Sequence, residues 1–231
     1  MFFPDRIKNI QPGDRVLEIG PGSHPYHRSD VFLELRYEKV EERTAQFGHT
    51  QQLDTQKEVV FYDGRVFPFA DQTFDYIICS HVLEHVEDVE AFLAEIFRVG
   101  RKGYLEYPLA YYDYLYNFEV HLNLLKFDYP VLRYMKKNET SLDTFKPIQT
   151  FFLESLNKGY ASLIENLLPE FMEGFEWDKP FEIKRTSVLT DVLRKQNLLT
   201  RYNAPAAPDP GIGYHIKAII KKMLFIKQPG R

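Results

Sequence analysis

Residues Arg15-Val16-Leu17-Glu18-Ile19-Gly20-Pro21-Gly22 decide the fold. Val16, Leu17 and Ile19 form a short apolar run that stops at Gly20-Pro21-Gly22. This pattern is a buried strand entering a tight glycine turn. Glycine admits positive φ and lets a ligand approach the backbone with no Cβ in the way. Glu18 stands inside the apolar run, where a carboxylate is costly to bury unless it meets a partner. A strand ending in a plain loop would also show G-x-G. The acid two residues before the first glycine favours a binding turn.

Working outward, Val31-Phe-Leu-Glu-Leu35 reads as a second strand with Glu34 near its end. An acid at that place in a dinucleotide-type fold accepts hydrogen bonds from ribose hydroxyls. The link Ser23–Asp30 is short for a parallel crossover, which ordinarily contains a helix. A competing register makes residues 29–45 one amphipathic helix and Glu34 a surface acid. Residues 44–58 are polar and read as a loop. Val59–Tyr62 is the third strand, followed by Asp63-Gly64, which alone would be a plain turn. Asp75–Cys79 is the fourth strand, and Ser80 and His81 lie at its C-terminal edge, where open parallel sheets bind ligands.

E-I-G-P-G, followed by P-F-A-D-Q-T-F-D-Y-I-I-C-S-H-V-L-E-H-V from Pro68 to Val86, resembles the class I methyltransferases that use S-adenosylmethionine, of the small-molecule type. The dinucleotide fingerprint G-x-G-x-x-G fits less well, because Pro25 occupies the place of its third glycine. The resemblance covers roughly residues 14–109 and favours the strand reading of residues 31–35. It implies a Rossmann-like fold, a mostly parallel sheet with helices on both faces, and S-adenosylmethionine as cofactor. It also implies that Glu18, Gly20, Pro21, Gly22, Glu34, Asp63, Gly64, Ser80 and His81 surround that cofactor. Asp63 and Gly64 would lie beside the adenine, and the backbone at Ser80 would receive the methionine ammonium.

His81-Val-Leu-Glu84-His85 also spells H-x-x-E-H, a zinc-protease motif. Its two histidines would share one helix face, but a zinc hydrolase needs a third ligand and a helix before His81. Here a strand precedes it, so no metal is expected. Glu84 and His85 are placed at the start of the following helix, with a structural or an acid–base role. His24 and His27 are read as loop residues.

Asp88–Val99 has helical apolar spacing, with Gly100 and Gly103 at its end, and Gly103–Pro108 is the fifth strand. Beyond Pro108 the resemblance weakens into a tyrosine-rich stretch, A-Y-Y-D-Y-L-Y-N-F-E-V-H, in which His121 is a candidate acceptor contact or base. A helical pattern runs from Phe151 to Phe171, and F-E-W-D-K-P-F-E-I reads as paired strands around Asp178-Lys179-Pro180. Residues 204–213 are a Pro/Gly-rich linker. Tyr214 onward is a basic amphipathic helix. It would dock on its own domain or on a second subunit, making a homodimer, or lie on an anionic membrane.

With 231 residues and a net charge of −4, the chain suits one α/β domain with an appendage and gives no case for nucleic acid. Its single cysteine, Cys79, excludes an intrachain disulfide, and the N-terminal residues show no signal peptide, so a cytoplasmic location is expected. The expected organisation is a cofactor half over residues 1–110, an acceptor-side segment over 111–203 that completes the same domain, and a C-terminal arm over 204–231. The expected function is methyl transfer, read as O-methylation of a small-molecule or glycan- or lipid-linked acceptor, with His81, His85 and His121 as candidate bases. Alternatives are a non-catalytic interaction protein of the same fold, a zinc hydrolase and, last, a dehydrogenase.

Overall fold

The computed structural model of the chain describes residues 1–36, 53, 55–156, 158 and 167–193. The chain divides into two compact units, Met1–Arg194 and Lys195–Arg231. The linker and basic helix expected after residue 203 lie outside the described residues, as do residues 159–166 of the expected long helix and most of the polar stretch 44–58.

Six strands form the main sheet: β1 (Val16–Ile19), β2 (Val31–Leu35), β3 (Glu58–Tyr62), β4 (Phe74–Ser80), β5 (Gly100–Pro108) and β8 (Met172–Trp177), in the order β3-β2-β1-β4-β5-β8. The first five are parallel and β8 runs antiparallel beside β5. The order reverses between β1 and β4, and at such a switch point the strand ends open a crevice for a ligand. Residues 31–35 are a strand, so the competing helix over 29–45 does not form there. Strand alternation sends Leu17, Ile19, Leu33, Ile77 and Cys79 into one core with Phe92, Leu93 and Ile96 of helix α1 (Val89–Val99). Val16, Tyr76, Ile78 and Tyr104 face the other side, where Ile7, Ile10 and Tyr26 cover them.

The short crossover between β1 and β2 has a physical solution. Glu18 is buried, and its Oε2 accepts the Tyr26 N–H at 2.8 Å and the Ser29 hydroxyl at 2.6 Å. The Asp30 N–H then bonds Val16 O, and Asp30 Oδ2 accepts the Val16 N–H. A buried carboxyl thus holds a turn-like return in place of a helix, and those donors offset part of the cost of its burial.

Helix α1 is capped by Asp88, whose Oδ1 accepts the Ala91 N–H at 2.9 Å. Glu84 and His85 lie on a 3₁₀ turn, Leu83–His85, rather than at the start of this helix. The helix passes directly into β5 at Gly100, so residues 100–103 are strand and not a loop.

After β5 come helix α2 (Ala110–Tyr116), the hairpin β6 (Asn123–Asp128) and β7 (Val131–Lys136), helix α3 (Lys146–Ser155) and the short helix α4 (Leu168–Phe171). Strand β9 (Glu182–Arg185) pairs parallel to β7 in a second sheet, β6-β7-β9. The expected pairing of strands around Asp178–Pro180 is therefore corrected, because β8 and β9 belong to different sheets. Their side chains still meet: Phe175 and Phe181 pack with Phe127 of β6, which stacks on Phe175 at 3.9 Å between centroids. Among the described residues no helix is long and apolar enough to cross a membrane.

Candidate active site

A cavity of about 870 Å³ opens at the C-terminal ends of β1, β2, β3 and β4. Pockets of several hundred Å³ suit a cofactor-sized ligand. Gly20, Glu34, Asp63, Gly64 and His81 line it, five of the residues expected around a cofactor. Val82, His85 and Phe92 complete the opposite wall. Gly20 adopts φ +60°, and a Cβ there would lie 2.7 Å from Val82 Cγ2. The turn is therefore reserved for glycine both by its conformation and by its neighbour. Glu34 is buried at the end of β2, and Asp63 Oδ1 accepts the Arg65 N–H at 3.1 Å, which shapes the loop after β3.

Glu18, Pro21, Gly22 and Ser80 do not line this cavity. Glu18 faces the crossover. Burial pushes its carboxyl above the usual range, against the hydrogen bonds from Ser29 and Tyr26. Ser80 is turned the other way, its hydroxyl donating to Glu106 Oε1 at 2.9 Å.

Glu106, toward the C-terminal end of β5, is the organising residue that motif reading passes over. Its Oε1 accepts from Ser80 Oγ, from His81 Nε2 at 3.0 Å and from the Phe2 N–H at 2.7 Å. Its Oε2 accepts from Tyr104 OH at 2.7 Å and the Phe3 N–H at 3.0 Å. Burial alone would raise its pKa, but His81 and the other donors outweigh burial and hold it at about 2. The signal was available, since Glu106 is an acid in the apolar strand G-Y-L-E-Y-P, as Glu18 is in R-V-L-E-I.

His81 has φ +56°, the left-handed region in a residue that is not glycine. Its N–H bonds Glu106 O at 2.8 Å, and its ring lies between Glu106 and Glu84, with Nδ1 3.3 Å from Glu84 Oε1. Burial works against its charge, yet the contacts with Glu106 and Glu84 prevail and raise its pKa to about 9. Backbone conformations of this kind cost about 1–3 kcal/mol and cluster at functional sites. They persist where the surroundings over-determine them, as Glu106 does here.

His85 and His121 come together although 35 positions separate Val120 from His85. The start of β6 docks on the 3₁₀ turn. Leu122 N–H bonds Glu84 O at 2.7 Å, and Asn123 Nδ2 donates to Leu83 O and Val86 O. His85 Nδ1 donates to Val120 O at 3.0 Å, and His121 Nδ1 to Asp113 Oδ2 at 2.9 Å. A carbonyl and a carboxylate can only accept, so Nδ1 of each ring carries a proton, and Nε2 is the atom that can offer a lone pair. The rings meet edge to face at 4.8 Å. Burial lowers the pKa of His85, which keeps it neutral. Asp113 is itself buried and paired with Lys137 at 3.2 Å. His121 lies on a second, polar cavity of about 570 Å³ rather than on the large one.

Comparison with known proteins matches residues 17–105 to the family described as a methyltransferase domain. No curated protein matches the chain. Among solved structures, the chain is 23% identical to a methyltransferase from Thermotoga maritima, titled as S-adenosylmethionine-dependent and a possible histamine N-methyltransferase. That match covers 46% of this chain and 49% of the other at a TM-score of 0.32. A second S-adenosylmethionine-dependent methyltransferase, from Methanosarcina mazei, is 19% identical over 52% of this chain and 69% of its own, with a TM-score of 0.32. The N-terminal domain of EvdMO1, solved with S-adenosylhomocysteine bound, is 24% identical over 42% and 44% of the two chains, with a TM-score of 0.30. The chain spans about half the length of the first of these proteins. The matched segment runs from β1 through β5 and contains every strand end that opens on the large cavity. Residues 17–105, which carry five parallel strands in the order 3-2-1-4-5, thus match the methyltransferase-domain family.

Proposed function

We propose that the chain transfers the methyl group of S-adenosylmethionine to an oxygen of a small acceptor. The observation that carries this reading is the convergence of Gly20, Glu34 and Asp63-Gly64, from the ends of three neighbouring strands, on one cavity. Glu34 suits the ribose hydroxyls, because a carboxylate can accept from both of them. Asp63 and Gly64 suit the adenine edge, and the open backbone at Gly20 suits the amino-acid end of the cofactor.

The sulfonium is already an activated donor, so the protein must chiefly hold the nucleophile in line with the methyl carbon. His81 fits positioning better than base catalysis, because an imidazole favoured as imidazolium at neutral pH has no lone pair to offer. His85 does carry a lone pair, on Nε2, in the wall of the cavity. His121 carries the other, at the border with the polar cavity. That second cavity suits a polar acceptor such as a glycan-linked or lipid-linked intermediate. The basic segment after residue 213 suits a peripheral membrane contact or a dimer.

The test is calorimetric binding of S-adenosylmethionine and S-adenosylhomocysteine to the wild type and to Glu34→Ala, followed by a methyl-transfer screen of hydroxylated acceptors. Binding of both ligands, weakened about tenfold or more in Glu34→Ala, supports the reading. That factor corresponds to about 1.4 kcal/mol, the worth of one hydrogen bond to a charged group. Absence of binding to the wild type would favour a non-catalytic protein of the same fold.

A further inference from the structure

We propose that Glu84, His85 and His121 form a binding site for a divalent transition-metal ion beside the cofactor cavity. One ligand atom from each lies within 4.8 Å of the others. Glu84 Oε1 is 3.7 Å from His85 Nε2. Two ligands about 2.1 Å from a tetrahedral ion stand about 3.4 Å apart, so small side-chain rotations close the site.

Three features make this a built site rather than a chance cluster. Glu84 is 1% exposed, its carboxylate oxygens receive no aligned hydrogen bond, and its ion contacts are His81 Nδ1 at 3.3 Å and His85 Nε2 at 3.7 Å. A buried carboxylate held only by such loose contacts is costly, and a bound cation lowers that cost. Both imidazoles are held through Nδ1, one by Val120 O and one by Asp113, which aims each Nε2 lone pair away from its anchor. This is the outer arrangement that fixes tautomer and ring orientation around metal-bound histidine, and the Asp113–His121 contact is its carboxylate form. Lys137 in turn holds Asp113. His81 stands outside the ligand set, since its Nε2 is engaged by Glu106.

The donors are two imidazoles and one carboxylate, a set that suits zinc, cobalt or iron(II) rather than magnesium or calcium. Three protein ligands leave coordination positions open, as catalytic sites do. His85 lines the cofactor cavity and His121 the polar cavity, so the ion stands between them. Its role rests on the methyl-transfer reading. An acceptor hydroxyl bound at an open position loses its proton to water, because the cation lowers its pKa. The oxygen pair then forms the O–CH₃ bond, the S–CH₃ bond breaks, and its electrons remain on sulfur as a neutral thioether.

The test uses the full chain after chelator treatment, titrated with Co²⁺ by visible absorption and with Zn²⁺ by calorimetry. The wild type is expected to bind one equivalent and to show the d–d bands of a low-coordinate Co²⁺ site. His121→Gln is expected to lose about 100-fold or more in affinity, and Asp113→Asn about 10- to 100-fold. His24→Gln, on the exposed loop after the glycine turn, should bind as the wild type does. S-adenosylhomocysteine binding to each variant, measured alongside, reports whether it is folded. Absence of one-equivalent binding by the wild type overturns the proposal, whatever the variants do. Wild-type affinity in a folded His121→Gln also overturns it. Metal binding by a protein that takes no adenosyl ligand would keep the site and reject only its role in methyl transfer.

Discussion

Substituting alanine at Gly20 and, separately, at Gly22 divides the demands of the turn into two measurable parts. Both glycines have nearly the same backbone, φ +60° and φ +62°. A Cβ at either position meets the left-handed penalty of about 1–2 kcal/mol. They differ in what the Cβ would touch. At Gly22 nothing lies within 4 Å, whereas at Gly20 it would sit 2.7 Å from Val82 Cγ2. Valine is stiff at χ1, so the methyl cannot swing aside, and the backbone after β4 must move instead. Overpacking of this kind costs about 1–3 kcal/mol. Gly22→Ala should therefore lose about 1–2 kcal/mol and Gly20→Ala about 2–5 kcal/mol, the sum of both costs. Urea unfolding followed by circular dichroism measures each value, with the m-value as a check that the denatured state is unchanged. Because Val82 lines the cavity, Gly20→Ala should also lose stabilisation by S-adenosylhomocysteine. Equal destabilisation in the two variants would refute the contact argument. Wild-type ligand response in Gly20→Ala would remove the glycine turn from the binding site.

Three further outcomes test other parts of the structure. Glu106→Gln should destabilise the protein by about 3 kcal/mol, as breaking a buried ion pair does, and should expose the chain around Phe2 and Phe3 to limited proteolysis; an unchanged cleavage pattern would show that the lead segment is held by something else. Glu18 has a carboxyl pKa raised by burial above 4.5, so its contribution to stability is complete below 4.5 and is lost as pH rises through the folded value. The unfolding free energy of wild type relative to Glu18→Gln should therefore fall as pH rises from about 4.5, and a flat difference would contradict the burial argument. Phe175→Ala should cost about 3 kcal/mol, because it deletes the ring stacked on Phe127 between the two sheets; a loss under 1 kcal/mol would mean that this contact does not join them.

The cofactor half was legible in the sequence because its parts are local. A strand end, a glycine turn and an acid recur within a few residues, and parallel topology alone brings Gly20, Glu34 and Asp63 to one edge. What local pattern missed was how far along its strand a charged residue sits and what meets it there. Glu18 and Glu34 are both acids in short apolar strands, yet Glu34 lines the cavity while Glu18 holds the crossover. Strand alternation does not separate them, because Glu18 pairs with Phe32 and Glu34 lies two residues further on the same face; they differ in depth, Glu18 lying within β1 and Glu34 at the end of β2. In β5 alternation puts Glu106 on the face of Tyr104, opposite Leu105 and Tyr107.

The acceptor half was less legible because its geometry is made by contacts distant in sequence. Nothing near His121 predicts His85 as its neighbour. The two are joined by backbone bonds between the 3₁₀ turn and the start of β6, and by Asn123, whose amide spans Leu83 O and Val86 O. A motif of spacing such as H-x-x-E-H assumes a helix and therefore pairs His81 with His85. The chain instead makes a strand end and a 3₁₀ turn, which separates those two and gives His81 to Glu106. It also leaves Glu84 facing a histidine from another part of the chain. The residue types in the motif were informative, whereas their spacing was not, because spacing carries meaning only in the secondary structure that the tertiary fold permits.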